Sequence, residues 1–167
     1  MTTKEIIDLL KLKPLTIEGG HYLETYRSPD IIDQSNLPGT YDGARNFSTA
    51  IYFLLTPDTF SEMHRLKSDE IFHFYLGDPV RFLLLHPDGK SEQITLGNNL
   101  IAGHWPQLVV SRLTWQGAKL INGGKFALMG TTVSPGFDFN DYESGERQKL
   151  ISQCPSQIEL ITALTRK

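Results

Sequence analysis

From His21 to Val133 the chain is punctuated by turn signals roughly every 6–12 residues. The stretches between them are too short for most helices and rich in β-branched and aromatic residues. Strands are expected at His21–Arg27, Phe47–Leu55, Met63–Leu66, Glu70–Leu76, Val80–Leu85, Ser91–Leu96, Leu108–Ser111, Thr114–Leu120 and Lys125–Val133. Thr56-Pro57-Asp58, His86–Lys90, Gly97–Gly103 and Asn122-Gly123-Gly124 supply turns, the last as a hairpin joining its two flanking strands. Short strands with no helix between them cannot build a parallel sheet, so the expectation is an antiparallel sandwich or barrel, jelly roll included.

Helical patterning is confined to the ends. Thr2-Thr3-Lys4-Glu5 reads as a capping box that opens a short helix over residues 3–11, which Pro14 stops. The tail turns helical weakly over Tyr142–Leu150 and then over Pro155–Leu164, where Ile158, Ile161 and Leu164 share a face. Residues 28–44, rich in proline, glycine and aspartate, form one long loop. No domain boundary or repeat breaks the pattern, so residues 1–167 are expected to be a single domain. A chain of 167 residues buries roughly 70% of its unfolded surface, enough for a true core.

Charge and cysteine content exclude several classes. A net charge of −3 with scattered bases gives no footprint for nucleic acid. The longest apolar run, Ala50–Leu55, is far below the roughly 20 residues that cross a bilayer, and the N-terminus has no secretory apolar region. Neither a nucleic-acid nor a membrane partner is expected, and a cytoplasmic location is. A single cysteine, Cys154, leaves no intrachain disulfide or thiolate cluster.

The chemistry concentrates in Met63–Gly77, MHRLKSDEIFHFYLG. Ser68-Asp69-Glu70 reads as a turn between two strands, so that His64 and Glu70 come from neighbouring strands of a sheet. The cupins, small jelly-roll barrels, carry a first motif of the form G-x5-H-x-H-x3-4-E-x6-G. From His64 through Glu70 to Gly77 the chain resembles it, with Leu66 in place of the second histidine and Asp58 in place of the first glycine. In the second cupin motif, Gln116 stands for the histidine, Ser111 for the proline and Leu113 for the glycine. The blocks GGHYLETYRS (19–28), STAIYFLL (48–55), HRLKSDEIFHFYLGDP (64–79), WPQLVV (105–110), WQGA (115–118) and TVSPGFDF (132–139) resemble the DUF985 cupin family, sometimes described as predicted sugar epimerases. GHYLETYR is also similar to the substrate-binding segment of dTDP-4-dehydrorhamnose 3,5-epimerases. The resemblance implies a mainly all-β, cupin-type antiparallel jelly roll with short terminal helices, and by analogy a homodimer that exchanges its first strands.

Two uses of the barrel follow. The resemblance implies a metal set of three histidines and a glutamate, of which His64, Glu70 and at most Gln116 remain. A leucine cannot ligate and an amide is a poor donor, so no cofactor is expected, with a divalent metal as the open alternative. Without a metal, epimerisation beside a carbonyl needs a base and an acid. His64 and His73 are candidate bases, because histidine titrates near neutrality. Asp69 or Glu70 is expected to orient the ring, and Tyr52 and Tyr75 are candidate acids. Strict alternation places His73 on the face opposite Glu70 unless a bulge intervenes. Glu24 shares a face with Tyr22 and Tyr26, and Arg27 either pairs with it or grips a phosphate. Arg45 is a second anion-binding candidate. Gln107, Trp115 and Gln116, expected on adjacent strands, suit sugar hydroxyls. The expected ligand is a sugar or sugar nucleotide, turned over by an epimerase, or merely bound by a non-catalytic module.

Overall fold

The computed structural model describes residues 1–166. Its strands are Lys13–Pro14 (β1), His21–Arg27 (β2), Ile31–Ile32 (β3), Arg45–Asn46 (β4), Thr49–Leu55 (β5), Phe60–Leu66 (β6), Asp69–Gly77 (β7), Val80–Leu85 (β8), Ser91–Leu96 (β9), Gln107–Val110 (β10), Trp115–Leu120 (β11), Ala127–Ser134 (β12) and Tyr142–Ser144 (β13). The α-helices are Thr3–Leu10 (α1), Arg147–Gln153 (α2) and Ile158–Ala163 (α3). The capping box at Thr2 is formed in both directions, Thr2 accepting from the Glu5 amide and Glu5 from the Thr2 amide.

Two antiparallel sheets face each other. One has the order β1-β2-β5-β12-β7-β10, the other β13-β6-β11-β8-β9. From β5 onward successive strands alternate between the sheets, except for the β8–β9 hairpin. This is the jelly roll, and it corrects local readings. β6 and β7 lie in opposite sheets, so the turn at Lys67-Ser68 crosses the barrel instead of closing a hairpin. Asn122-Gly123-Gly124 likewise carries the chain from β11 in one sheet to β12 in the other. A turn sequence fixes only the reversal of the chain. Whether the next strand pairs with the last one or crosses the core depends on which apolar faces still need covering.

The tail departs from expectation for a similar reason. Residues 142–144 extend along β6, whose edge is open there, and Gly145 donates to the Met63 carbonyl at 2.7 Å. The helix begins only at Arg147.

Between the sheets, Phe53, Phe72, Phe82, Leu96 and Met129 fill one end of the barrel, with Phe72 and Phe82 edge to face at 4.8 Å. Two further clusters cover the outer faces. Ile6 and Leu12 seal α1 and its exit onto Leu54 and Leu128. Leu150, Ile161 and Leu164 close the helical tail over Met63, Leu83 and Leu85. The other end of the barrel is left hollow.

Candidate functional site

The hollow end is a cavity of about 300 Å³. Glu18, His64 and Glu70 lie in it, Tyr22, Phe137 and Phe139 form walls, and Glu24 and Arg27 reach it from β2. His64 is 1% exposed and Glu70 7%, whereas Phe139 at 60% marks the mouth. His64 comes from β6 and Glu70 from β7, so the imidazole and the carboxyl enter from opposite sheets.

The histidine's tautomer follows from its neighbours. His64 Nδ1 lies 2.7 Å from the Glu62 carbonyl oxygen. A carbonyl only accepts, so Nδ1 carries the proton and in the neutral ring Nε2 holds the lone pair. Nε2 lies 3.9 Å from Glu18 Oε2, beyond a hydrogen bond but close enough for strong attraction once the ring is protonated. Tyr142 stacks on the ring at 4.9 Å and fixes its plane.

Glu70 is the perturbed acid of the site. Burial first, and then the charge of Glu18, push its carboxyl up to about 7. The hydrogen bond from Gln116 Nε2 to Glu70 Oε2, at 2.7 Å, and the nearness of His64 pull the other way. Gln116 Oε1 is buried without a partner. Turned over, the amide would accept from a protonated Glu70, so Gln116 is able to serve either protonation state.

Glu18 was not singled out by pattern, and its position is a product of packing. Its segment folds back through Leu15 N to Gly20 O (3.0 Å) and Gly19 N to Leu15 O (2.7 Å). Gly19 has φ +111° and lies so close to β6 that a Cβ would fall 2.1 Å from the Phe60 carbonyl oxygen. The Glu62 amide donates to the Glu18 carbonyl at 2.9 Å, and Ser61 Oγ donates to Glu18 Oε1 at 2.6 Å. Ser61 and His64 are three residues apart and would face opposite ways on a regular strand. A register shift opposite Gln116–Ala118 inserts an extra residue into β6 and turns both toward Glu18. The glycine pair at 19–20 was the one local hint of this close approach.

A second bulge reshapes the rim. The β2–β5 register slips between Glu24 and Tyr26. Tyr26 therefore turns outward, 51% exposed, while Arg27 joins Tyr22 and Glu24 at the cavity. Arg27 donates from Nε and Nη2 to Glu24 at 3.0 and 2.7 Å, and from Nη1 to Asn46 Oδ1 and the Phe137 carbonyl at 2.9 and 3.2 Å. It is a paired group that holds the rim together, not a free anion clamp.

The remaining candidates lie elsewhere. Tyr52 packs with Leu23 and Leu54 beneath α1 on the outer face, edge to face with Tyr75. His73 is outside the cavity as well, bonded to Thr132 Oγ1 (3.3 Å) and Gln107 Nε2 (3.2 Å), because alternation from inward Glu70 holds through Phe72 and Phe74. Trp115 packs on the outer, helix-covered side with the Arg65 guanidinium 4.4 Å above its ring. Gln107 and Gln116 are on β10 and β11 of opposite sheets, not on adjacent strands. Arg45 is buried against Asp141, at 2.7 and 2.6 Å, and Asp42, at 2.7 Å, and pins the long loop. The sequence expectation brought His64, Glu70, Gln116, Glu24 and Arg27 toward one place; Tyr52, His73, Arg45, Gln107 and Trp115 do not join them.

The same residues decide how well a metal would fit. Leu66 lines the cavity with no donor atom, and Gln116 turns an N–H, not its oxygen, toward Glu70. Among the described residues no three His, Cys, Asp or Glu side chains converge as a ligand set. The donor set does not fit a tightly held transition metal.

A family model described as Cupin superfamily (DUF985) matches residues 4–145. An uncharacterized protein of Saccharomyces cerevisiae, YML079W, is 31% identical over 133 residues, a match covering 75% of this chain and 66% of the yeast protein. The crystal structure of protein SO0799 from Shewanella oneidensis superposes with a TM-score of 0.87 at 32% identity, covering 99% of this chain and 98% of that one. A hypothetical protein from Leishmania major superposes with a TM-score of 0.88 at 27% identity over the whole of both chains.

Proposed function

The chain belongs to the DUF985 family of the cupin superfamily, and on that premise we propose that its barrel moves a proton on a small, carbohydrate-like ligand, as an epimerase or isomerase does beside a carbonyl. One observation carries the reading. A buried imidazole whose Nε2 opens onto the cavity and a carboxyl pushed up to about 7 enter that cavity from opposite sheets. A general base and a general acid work best when their pKa values lie near the operating pH, and epimerisation requires one on each side of the carbon. His64 is the base of this scheme. It takes the proton from the carbon beside the carbonyl, and the imidazolium that forms is stabilised by Glu18. Glu70, protonated at neutral pH about half the time, returns a proton from the other side, with Gln116 holding its carboxyl.

Among the described residues the rim offers a diphosphate only Arg27, and that guanidinium is paired with Glu24. The reading is therefore for a small ligand, not for its nucleotide form. The test is solvent deuterium incorporation into a panel of keto sugars. Exchange that disappears in His64→Ala and falls steeply in Glu70→Gln supports proton transfer; no exchange in the wild type removes it.

A second reading, a binding module without turnover, is favoured by the placement of both tyrosine candidates outside the cavity. Saturable ligand binding without exchange would select it. The protein is further proposed to act as a cytoplasmic homodimer. Tyr75 and Val109, 49% and 55% exposed, give β7 and β10 an apolar outer surface consistent with a partner. A monomeric mass by sedimentation at micromolar concentration would remove that proposal.

A further inference from the structure

We infer that the cavity selects a ligand bearing a positively charged nitrogen, a small organic ammonium seated between His64 and Glu18. The inference rests on the reading that this cavity is the ligand site, but it depends on the cavity's charge and donor pattern and not on turnover.

Two acceptors face one another at the deep end of the cavity, His64 Nε2 and Glu18 Oε2. His64 Nδ1 is committed to the Glu62 carbonyl, which leaves the Nε2 lone pair facing Glu18. This nitrogen belongs to a side chain only 1% exposed, and it makes no hydrogen bond among the described residues. A ring nitrogen that opens onto the cavity without a protein partner is placed to accept a hydrogen bond from a ligand. The 3.9 Å between Nε2 and Glu18 Oε2 is a suitable span: one donor atom about 2.9 Å from each bridges them with two N–H bonds.

Charge then separates an ammonium from a hydroxyl. The ionisable groups of the lining are Glu18, Glu24, Glu70, His64 and Arg27. Among the described residues Arg27 is the one lysine or arginine of the lining, and Glu24 neutralises it in a bidentate pair. Among the described residues no lysine or arginine pairs with Glu18 or Glu70 in the cavity, and the Glu70 carboxyl is raised by burial first and then by the Glu18 charge. A cation relieves that repulsion, while an anion adds to it. Leu15, Tyr22, Ile51, Val133 and Phe137 supply apolar walls for the rest of the molecule.

The test uses three probes of one shape and different charge: phenethylamine, phenethyl alcohol and phenylacetate. Titration calorimetry on the full chain should show the amine binding about tenfold or more tighter than the alcohol, and the acid not binding. Glu18→Gln should abolish the preference by weakening the amine at least about tenfold more than the alcohol. Glu18→Asp, which keeps the charge, should retain it, and this arm reads the charge even if the glutamine variant folds poorly. Equal affinity for amine and alcohol, preference for the acid, or no binding of any probe at millimolar concentration overturns the inference. Absent deuterium exchange together with selective amine binding would defeat the proton-transfer reading alone. Exchange without amine selectivity would defeat this one alone.

Discussion

Replacing Glu70 by glutamine should make the protein more stable at neutral and alkaline pH, and the structure sets the size of the gain. The Glu70 carboxyl titrates at about 7 in the folded chain, against 4.5 for an ordinary glutamate. Below that ordinary value it is protonated whether the chain is folded or not, and it contributes nothing to pH dependence. Between the two values only the unfolded chain gives up the proton. The folded state then binds more protons, so stability falls as pH rises through this window. Above about 7 both states are ionised and the full penalty remains. A shift of this size corresponds to roughly 3 kcal/mol. The Glu70→Gln variant keeps the shape, still meets the Gln116 amide, and carries no charge to bury. We expect it to exceed the wild type by less than about 1 kcal/mol at pH 5 and by about 3 kcal/mol at pH 8, a rise in Tm at pH 8 of roughly 6–12 °C for a chain of this length. Urea denaturation of both proteins at intervals from pH 5 to 8 measures the difference directly, because groups common to both cancel. Parallel curves across that range would refute the argument that burial beside Glu18 holds this carboxyl. Glu18→Gln should flatten the wild-type slope in part, since the Glu18 charge is the second cause of the shift.

Three other substitutions probe the framework. Gly19→Ala forces a Cβ onto the Phe60 carbonyl at a positive φ and should cost at least about 2 kcal/mol in chemical denaturation, with loss of exchange activity as Glu18 is displaced. Asp141→Ala strands the buried Arg45 guanidinium and should destabilise by about 3–5 kcal/mol, more than any change at the exposed Asp88–Lys90 pair, as thermal melts of the two variants will show. Leu66→His installs the missing donor beside His64 and Glu70. Equilibrium dialysis should then find manganese or cobalt retained by the variant and not by the wild type; equal retention would mean that Leu66 is not what keeps the metal out.

The fold was largely legible along the chain. Strand after short strand with turn chemistry between them admits few architectures, and the spacing from His64 to Glu70 to Gly77 narrowed these to the jelly roll. Most strands around the site were placed within about three residues, because each is encoded by its own local pattern, while Tyr142–Ser144, expected as the start of a helix, is a strand. His64, Glu70 and Gln116 were singled out by their resemblance to the two cupin motifs. Periodicity even gave the right face for His73.

What local pattern could not supply were the bulges and the sheet assignment. One inserted residue in β2 exchanges Tyr26 for Arg27 at the rim, and one in β6 brings Ser61 and His64 to the same side. Such insertions satisfy the packing of one strand against its neighbours, so no single strand's sequence declares them. Glu18 depends on more still: a glycine turn pressed against β6 and a serine turned inward by the bulge. The sequence by itself determined that this chain folds as a barrel with a histidine and a glutamate near its centre. Only the tertiary structure decided that the two face each other from opposite sheets, that a second glutamate joins them, and that the arginine is already paired. Those outcomes depend on distances between segments far apart in the chain, and on how much solvent each charge retains.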